Sequence, residues 1–176
     1  MLSYLENIPT ILDAVKKTGA RKILDVGGGM GKYAILIREN DLSSRAEKGE
    51  IIPVNDLIID CCEDTKYFTE MKHHDGLYDN HFHKSVFELP FKNDYDLILF
   101  IDTVEHWDKE ETKELFKKLN GKKLISTPKN TVMYKEEFYG DQRHHQSQWN
   151  QEDFNGKDFS TPLSHIYIED LKTINQ

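Results

Sequence analysis

The chain carries two cysteines among its 176 residues, and they are neighbours, Cys61 and Cys62. Adjacent cysteines supply no disulfide framework, so a small secreted scaffold held by bridges is excluded. No apolar run approaches the ~20 residues that a membrane-spanning helix needs, and the first residues lack the apolar core of a signal peptide. Basic charge is not in excess either: 31 acidic residues face 23 basic ones, for a net charge of −8. That balance argues against a strong sequence-independent grip on nucleic acid. Internal repeats and low-complexity tracts are absent. The expectation is a cytoplasmic protein of one domain, residues 1–176, long enough to bury roughly 70% of the surface its unfolded chain exposes.

What the sequence does have is glycine in one place. In "KILDVGGGMGKYAIL", residues 22–36, three consecutive glycines and a fourth two positions on separate two apolar runs. Ile23, Leu24 and Val26 read as a strand buried on both faces of a parallel sheet. Tyr33, Ala34, Ile35, Leu36 and Ile37 read as a mostly buried helix, with Arg38, Glu39 and Asn40 at its polar end. A strand, a glycine turn and a helix make a ligand cradle, because glycine accepts positive φ and lets a ligand approach the main chain without meeting a Cβ.

Spacing sorts the ligands that use such turns. A phosphate loop needs glycine five residues before a Gly-Lys pair and Ser or Thr after it; those positions hold Val26 and Tyr33, so that reading fails. A dinucleotide fingerprint is met only in its variant form, as Gly29, Gly31 and Ala34, which keeps a nicotinamide-dependent oxidoreductase as an alternative and leaves Asp25 and Gly27 without a role. The remaining pattern is an acid followed by alternate glycines: Asp25, Gly27, Gly29, Gly31.

Helical and strand patterns alternate along the rest of the chain. Leu5, Ile8, Ile11, Leu12 and Val15 recur at helical spacing, closed by Lys16, Lys17 and Gly19. Residues 40–50 read as a polar loop. "VNDLIID" (54–60) reads as a second strand, residues 80–87 as a weak third, "YDLILFID" (95–102) as a fourth and "KKLIST" (122–127) as a fifth, with "KEETKELFKKLN" a helix whose charges complement its own dipole. Strands separated by helices predict an α/β fold, a doubly wound and mostly parallel sheet that binds ligands at the carboxyl ends of its strands. On that reading Asp60 ends the second strand and Asp102 the fourth, both facing the glycine turn. A carboxylate at the end of the second strand suits a ribose diol, since its oxygens accept both hydroxyl hydrogens; Asp60 is the first choice, with Glu63 or Asp64 behind it.

The acid and alternate glycines resemble the first motif of the class I S-adenosylmethionine-dependent methyltransferases. "YDLILFIDTVEHWDKEE" is similar to that family's fourth-strand segment, and "KKLISTPKN" to its fifth strand. "FYGDQRHHQSQWNQEDF" resembles one small branch through Tyr139, Gly140, His145, Ser147, Trp149, Glu152 and Asp153. The similarity runs from about Lys22 to Phe154. It implies a Rossmann-like methyltransferase fold, S-adenosylmethionine as cofactor, Asp25, Gly27, Gly29 and Gly31 around its methionine part, and Asp60 and Asp102 at the cofactor cleft. Ser85 and Val86 stand where the family places its adenine contact. The chain ends soon after "SHIYIED" (164–170), so a shortened carboxyl-terminal edge is expected, with one late strand in place of an antiparallel pair.

Methyl transfer needs a nucleophile held in line, and a base only where the acceptor carries a proton. Glu105 and His106 after the fourth strand, and His145 on the long later loop, are the catalytic candidates. The Asn-Pro-Pro-aromatic element of base-amine enzymes and a Pro-Cys nucleophile are missing, so a small molecule or a protein side chain is the expected acceptor and nucleic acid is less favoured. A cofactor-binding scaffold without activity is the rival reading. No metal site is expected: His73, His74, His81 and His83 straddle a polar turn without carboxylate or cysteine at ligand spacing.

Overall fold

The computed structural model describes residues 3–49, 56–70, 76–90, 94–130 and 145–169. Its centre is a seven-stranded sheet in the order β3-β2-β1-β4-β5-β7-β6. The strands are β1 (Lys22–Val26), β2 (Ile58–Cys62), β3 (His81–Phe82), β4 (Leu97–Ile101), β5 (Lys122–Pro128), β6 (Lys157–Asp158) and β7 (Ser164–Glu169). The first five run parallel, and β7 lies antiparallel to both β5 and β6. Among the described residues the α-helices are α1 (Ile8–Thr18), α2 (Lys32–Glu47), α3 (Lys66–Thr69) and α4 (Lys109–Lys118).

Alternation along the strands builds a core on each face. Ile23, Ile59, Leu97, Leu99 and Leu124 point to one side and pack with Ile11, Ala14 and Ile37 of α1 and α2. Leu24, Ile98, Phe100 and Ile125 point to the other and meet Leu115 and Phe116 of α4 together with Trp149. After β1 the chain builds outward through β2 and β3, then returns to place β4 on β1's other side. The crevice at that reversal is where open α/β sheets take their ligands.

α1 ends as its sequence requires: Gly19 adopts φ 67° and its N–H donates to the Lys16 carbonyl. α4 begins on Asp108, whose carboxylate accepts from the N–H groups of Glu110 and Glu111, the expected N-cap.

Four expectations are corrected. The second strand ends at Cys62, not Asp60, because Cys61 and Cys62 are buried and continue the pairing with Asp25 and Val26; buried cysteine packs as a small hydrophobe. Residues 40–47 are helix, not loop. Their polarity reflects an ion network on the helix surface, where Arg21 pairs with Asp41 at 2.7 Å and with Asp56 at 2.7 Å, and Arg45 bonds Asp56. The third strand shrinks to two residues, followed by a 3-10 helix over Val86–Glu88. Finally, the late antiparallel pair is present, with β6 reduced to two residues beside a six-residue β7.

Candidate active site

The glycine turn joins β1 to α2 at the carboxyl end of the sheet. Gly27, Gly29 and Gly31 take φ of 69°, 55° and 76°, a region costly for residues with a Cβ. That backbone explains the alternate spacing of the motif. The Gly27 N–H donates to the Cys62 carbonyl at 2.8 Å and the Gly31 N–H to the Gly28 carbonyl at 2.9 Å, so the turn is fastened to the end of β2 and to itself. Gly28 is required for space: a Cβ there would stand 2.4 Å from the Tyr78 hydroxyl and 2.8 Å from Cys61 Sγ.

Buried acids stand at this turn and at the end of β4 beside it. Asp25 accepts a hydrogen bond from Tyr78 Oη at 2.9 Å. Burial pushes its pKa up to about 6, the Tyr78 bond opposing and the charge of Glu63 adding to the rise. Glu63 follows directly on β2, and its two oxygens accept from the N–H of Gly29 at 3.1 Å and of Thr65 at 2.8 Å. Asp102 stands one residue beyond β4 in the left-handed region at φ 50°, unusual for a residue other than glycine. Its pKa also rises to about 6 through burial, against the nearby Lys32 ammonium and a hydrogen bond from Ser126. Glu105 is wholly buried in the 3-10 helix over Val104–His106. Burial first, and the charge of Asp102 second, push it up to about 8.

Asp60, the first choice for the ribose, is not among these acids at the strand ends. It lies in mid-strand opposite Leu24, and both its oxygens are engaged inside the protein, by Asn80 Nδ2 at 2.8 Å and Tyr95 Oη at 2.9 Å. The acid that emerges at the strand end is Glu63, three residues on. Ser85 is half-buried and caps the 3-10 helix after β3, its hydroxyl accepting from the Phe87 N–H at 3.4 Å, while Val86 beside it is buried.

The three catalytic candidates do come together. Burial alternates along residues 145–149, with His145, Ser147 and Trp149 buried and the residues between them exposed. The N–H groups of Gln146 and Ser147 both donate to the Glu105 carbonyl, at 2.8 and 3.1 Å. Trp149 Nε1 donates to Ser147 Oγ at 2.9 Å and to the Val104 carbonyl at 3.3 Å. These bonds hold His145 against His106, with ring centroids 4.8 Å apart. Thr127, at the end of β5, donates to Glu105 Oε2 at 3.2 Å. The remaining oxygen, Glu105 Oε1, is buried with no hydrogen-bond partner.

Several contributors carried no sequence signal of their own. Tyr78, Thr103 and Thr127 are ordinary polar residues until the sheet assembles. Thr103, for example, bonds the Val26 carbonyl at 3.1 Å and packs 3.0 Å from where a Gly27 Cβ would be. Trp107 is half-buried between Phe87 and Phe100, 5.1 and 6.1 Å away, and so serves packing. Tyr139, Gly140, His73 and His74 lie outside the described residues. A separate cavity of about 370 Å³ opens at the other end of the strands, lined by Arg21, Asp41, Arg45 and Asp56. Its charges answer one another, and none of the motif residues reaches it.

No protein-family model matches the chain, and no curated protein matches its sequence. Solved structures do match its shape. The S-adenosylmethionine-dependent methyltransferase SibL, in its apo form, aligns at TM-score 0.63 and 15% identity, over 93% of this chain and 54% of its own. Magnesium protoporphyrin IX methyltransferase (ChlM) from Synechocystis PCC 6803, with bound SAM, aligns at TM-score 0.57 and 12% identity, over 93% of this chain and 77% of its own. The methyltransferase domain of bacterial CtHen1-C aligns at TM-score 0.56 and 17% identity, over 92% of this chain and 95% of its own. The chain thus spans about half of one neighbour and nearly all of another, and its fold is the Rossmann-like fold of class I methyltransferases.

Proposed function

We propose that the protein binds S-adenosylmethionine in the crevice between β1, β2 and β4 and transfers its methyl group to a small-molecule or protein acceptor. One observation carries this reading: three buried carboxylates, Asp25, Glu63 and Asp102, gather at a turn made of positive-φ glycines and at the start of the helix that follows it. Carboxylates gathered in a protein interior raise one another's energy unless a cation joins them. S-adenosylmethionine brings two, a sulfonium and an ammonium. A dinucleotide would bring a pyrophosphate instead, and the same acids would repel it.

The residues divide by the part of the cofactor they suit. Gly27, Gly29 and Gly31 with Asp25 surround the methionine end, and Asp102 takes the ammonium. Glu63 takes the ribose diol in place of Asp60. Ser85 and Val86 border the adenine side. Glu105, His106 and His145 stand on the acceptor side. The net charge of −8 favours a small molecule or a protein side chain over nucleic acid as acceptor. No helix among the described residues is long and apolar enough to cross a membrane.

Calorimetric titration with S-adenosylmethionine, its demethylated product and NAD tests the reading. Micromolar binding of the first two is expected. Glu63→Gln should weaken it roughly 10-fold or more, the scale of a lost charge-assisted hydrogen bond. Asp60→Asn should leave the affinity nearly unchanged and instead lower unfolding stability by about 1–3 kcal/mol, since its partners Tyr95 and Asn80 lose a charged acceptor. Binding of NAD alone, or of none of the three, rejects the proposal. Binding of both cofactor forms without turnover on any acceptor would instead favour the scaffold reading.

A further inference from the structure

Glu105, His106 and His145 each offer a ligand atom, and these atoms all lie within 4.8 Å of one another. We propose that this cluster is a divalent transition-metal site of the two-imidazole, one-carboxylate type, set on the acceptor side of the cleft. The inference goes beyond methyl transfer, which the fold performs by positioning alone, and metal binding can be read with no cofactor present.

Donor chemistry comes first. Two imidazoles and a carboxylate are the ligand set of an open zinc-type site, which leaves a coordination position for a further oxygen or nitrogen. Drawing three such atoms to ~2.1 Å from a common ion moves each by less than roughly an ångström, within reach of side-chain rotation. The second observation is independent of the count of ligands. Glu105 is fully buried, yet its Oε1 has no hydrogen-bond partner. A buried carboxylate oxygen without a hydrogen bond, on a residue whose carboxylate lies within 4.8 Å of ligand atoms of two histidines, is a coordination position in waiting.

The support around the cluster is what a metal centre needs. Thr127 holds the other carboxylate oxygen at 3.2 Å, fixing the orientation of the ligand from behind. The Gln146 and Ser147 amides grip the backbone of Glu105 itself, so the position of His145 is set by the same residue it would share the ion with. His106 is half-buried and gives the ion a path from solvent. A cation at this point would give the buried Glu105 oxygen a partner, and would hold an oxygen of the acceptor.

The test is a titration of the metal-stripped, full-length protein with Co²⁺, read by visible absorption, and with Zn²⁺, read by calorimetry. One ion per chain is expected, with Co²⁺ absorption bands showing nitrogen ligation. His145→Ala and Glu105→Gln should each weaken binding by about 100-fold or more, beyond the 10–100-fold of a lost supporting residue. His83→Ala, in the separate His81–His83 pair, should leave it unchanged. Far-UV circular dichroism checks that each variant folds, and Glu105→Asp, which keeps a carboxylate, should retain measurable binding if the glutamine variant does not fold. Equal affinity in wild type and His145→Ala overturns the inference, as does loss of binding only in His83→Ala or no binding by the folded wild type. S-adenosylmethionine is titrated in parallel: cofactor binding without metal binding rejects this site alone, whereas metal binding without cofactor binding rejects the proposed function and leaves the site standing.

Discussion

Asp25→Asn should make the protein more stable and worse at binding its cofactor. The carboxyl of Asp25 is fully buried and its pKa lies at about 6 against the usual 3.8. The direction of the pH effect follows. A carboxyl whose pKa is higher in the folded state favours folding fully below pH 3.8, and that favour is lost as pH rises to about 6. Above pH 6 the buried charge therefore costs about 3 kcal/mol relative to acid conditions. Asparagine removes the charge and still offers Tyr78 an acceptor. Urea denaturation at pH 7.5 should show the variant more stable by roughly 2–3 kcal/mol, and the advantage should shrink towards zero as the pH approaches 4. In the same protein, affinity for S-adenosylmethionine should fall, and more steeply than affinity for its demethylated product, which has lost the sulfonium charge and keeps the ammonium. An advantage that persists unchanged at pH 4, or a variant that binds both forms as the wild type does, would contradict this account.

Trp149→Ala is expected to be the most destabilising of the substitutions considered. The indole is 1% exposed, stacks on Phe154 at 5.5 Å and lies 6.3 Å from Phe116, and its N–H joins residues 147 and 104. Removing a buried aromatic of this size costs about 3–5 kcal/mol, which for a chain of this length is roughly a 6–20 °C fall in melting temperature. The consequence for the site is larger than the stability figure suggests. Without the indole, the segment loses its anchor and His145 its fixed place beside Glu105. At temperatures where the variant remains folded, cofactor affinity should stay close to wild type while Co²⁺ binding is lost. Trp149→Phe should recover most of the stability, because it restores the ring and not the N–H. If both variants bind Co²⁺ as the wild type does, the segment does not depend on Trp149 for its placement.

Much of this arrangement is legible in the sequence. The apolar run over Ile23–Val26, the alternate glycines and the dipole-matched α4 are local patterns, and local patterns survive folding. The errors arose where identity and environment part company. Cys61 and Cys62 carry no strand signature of their own, so the sequence pattern ends the second strand at Asp60, two residues before the pairing with β1 stops. Residues 40–47 look like a loop because their charges are not spent on solvent: Arg45 and Asp41 belong to a network that only exists once Arg21 and Asp56 arrive from other elements. Glu105, His106 and His145 were each visible as candidates. Their meeting was not, since it depends on two backbone amides finding a carbonyl some forty residues earlier.

That last contact has a consequence for how the molecule can change over time. The groups around the glycine turn come from β1 through the residues that directly follow β4, while His145 arrives on a separate ribbon clipped to the Glu105 carbonyl and weighted by a single indole. Residues of the ribbon that face solvent, Gln146 and Gln148, can vary without touching the clip. Those that face inward can be exchanged without touching the glycines. The architecture thus separates two inheritances, one for the glycine turn and one for the ribbon, and lets the second drift while the first is kept.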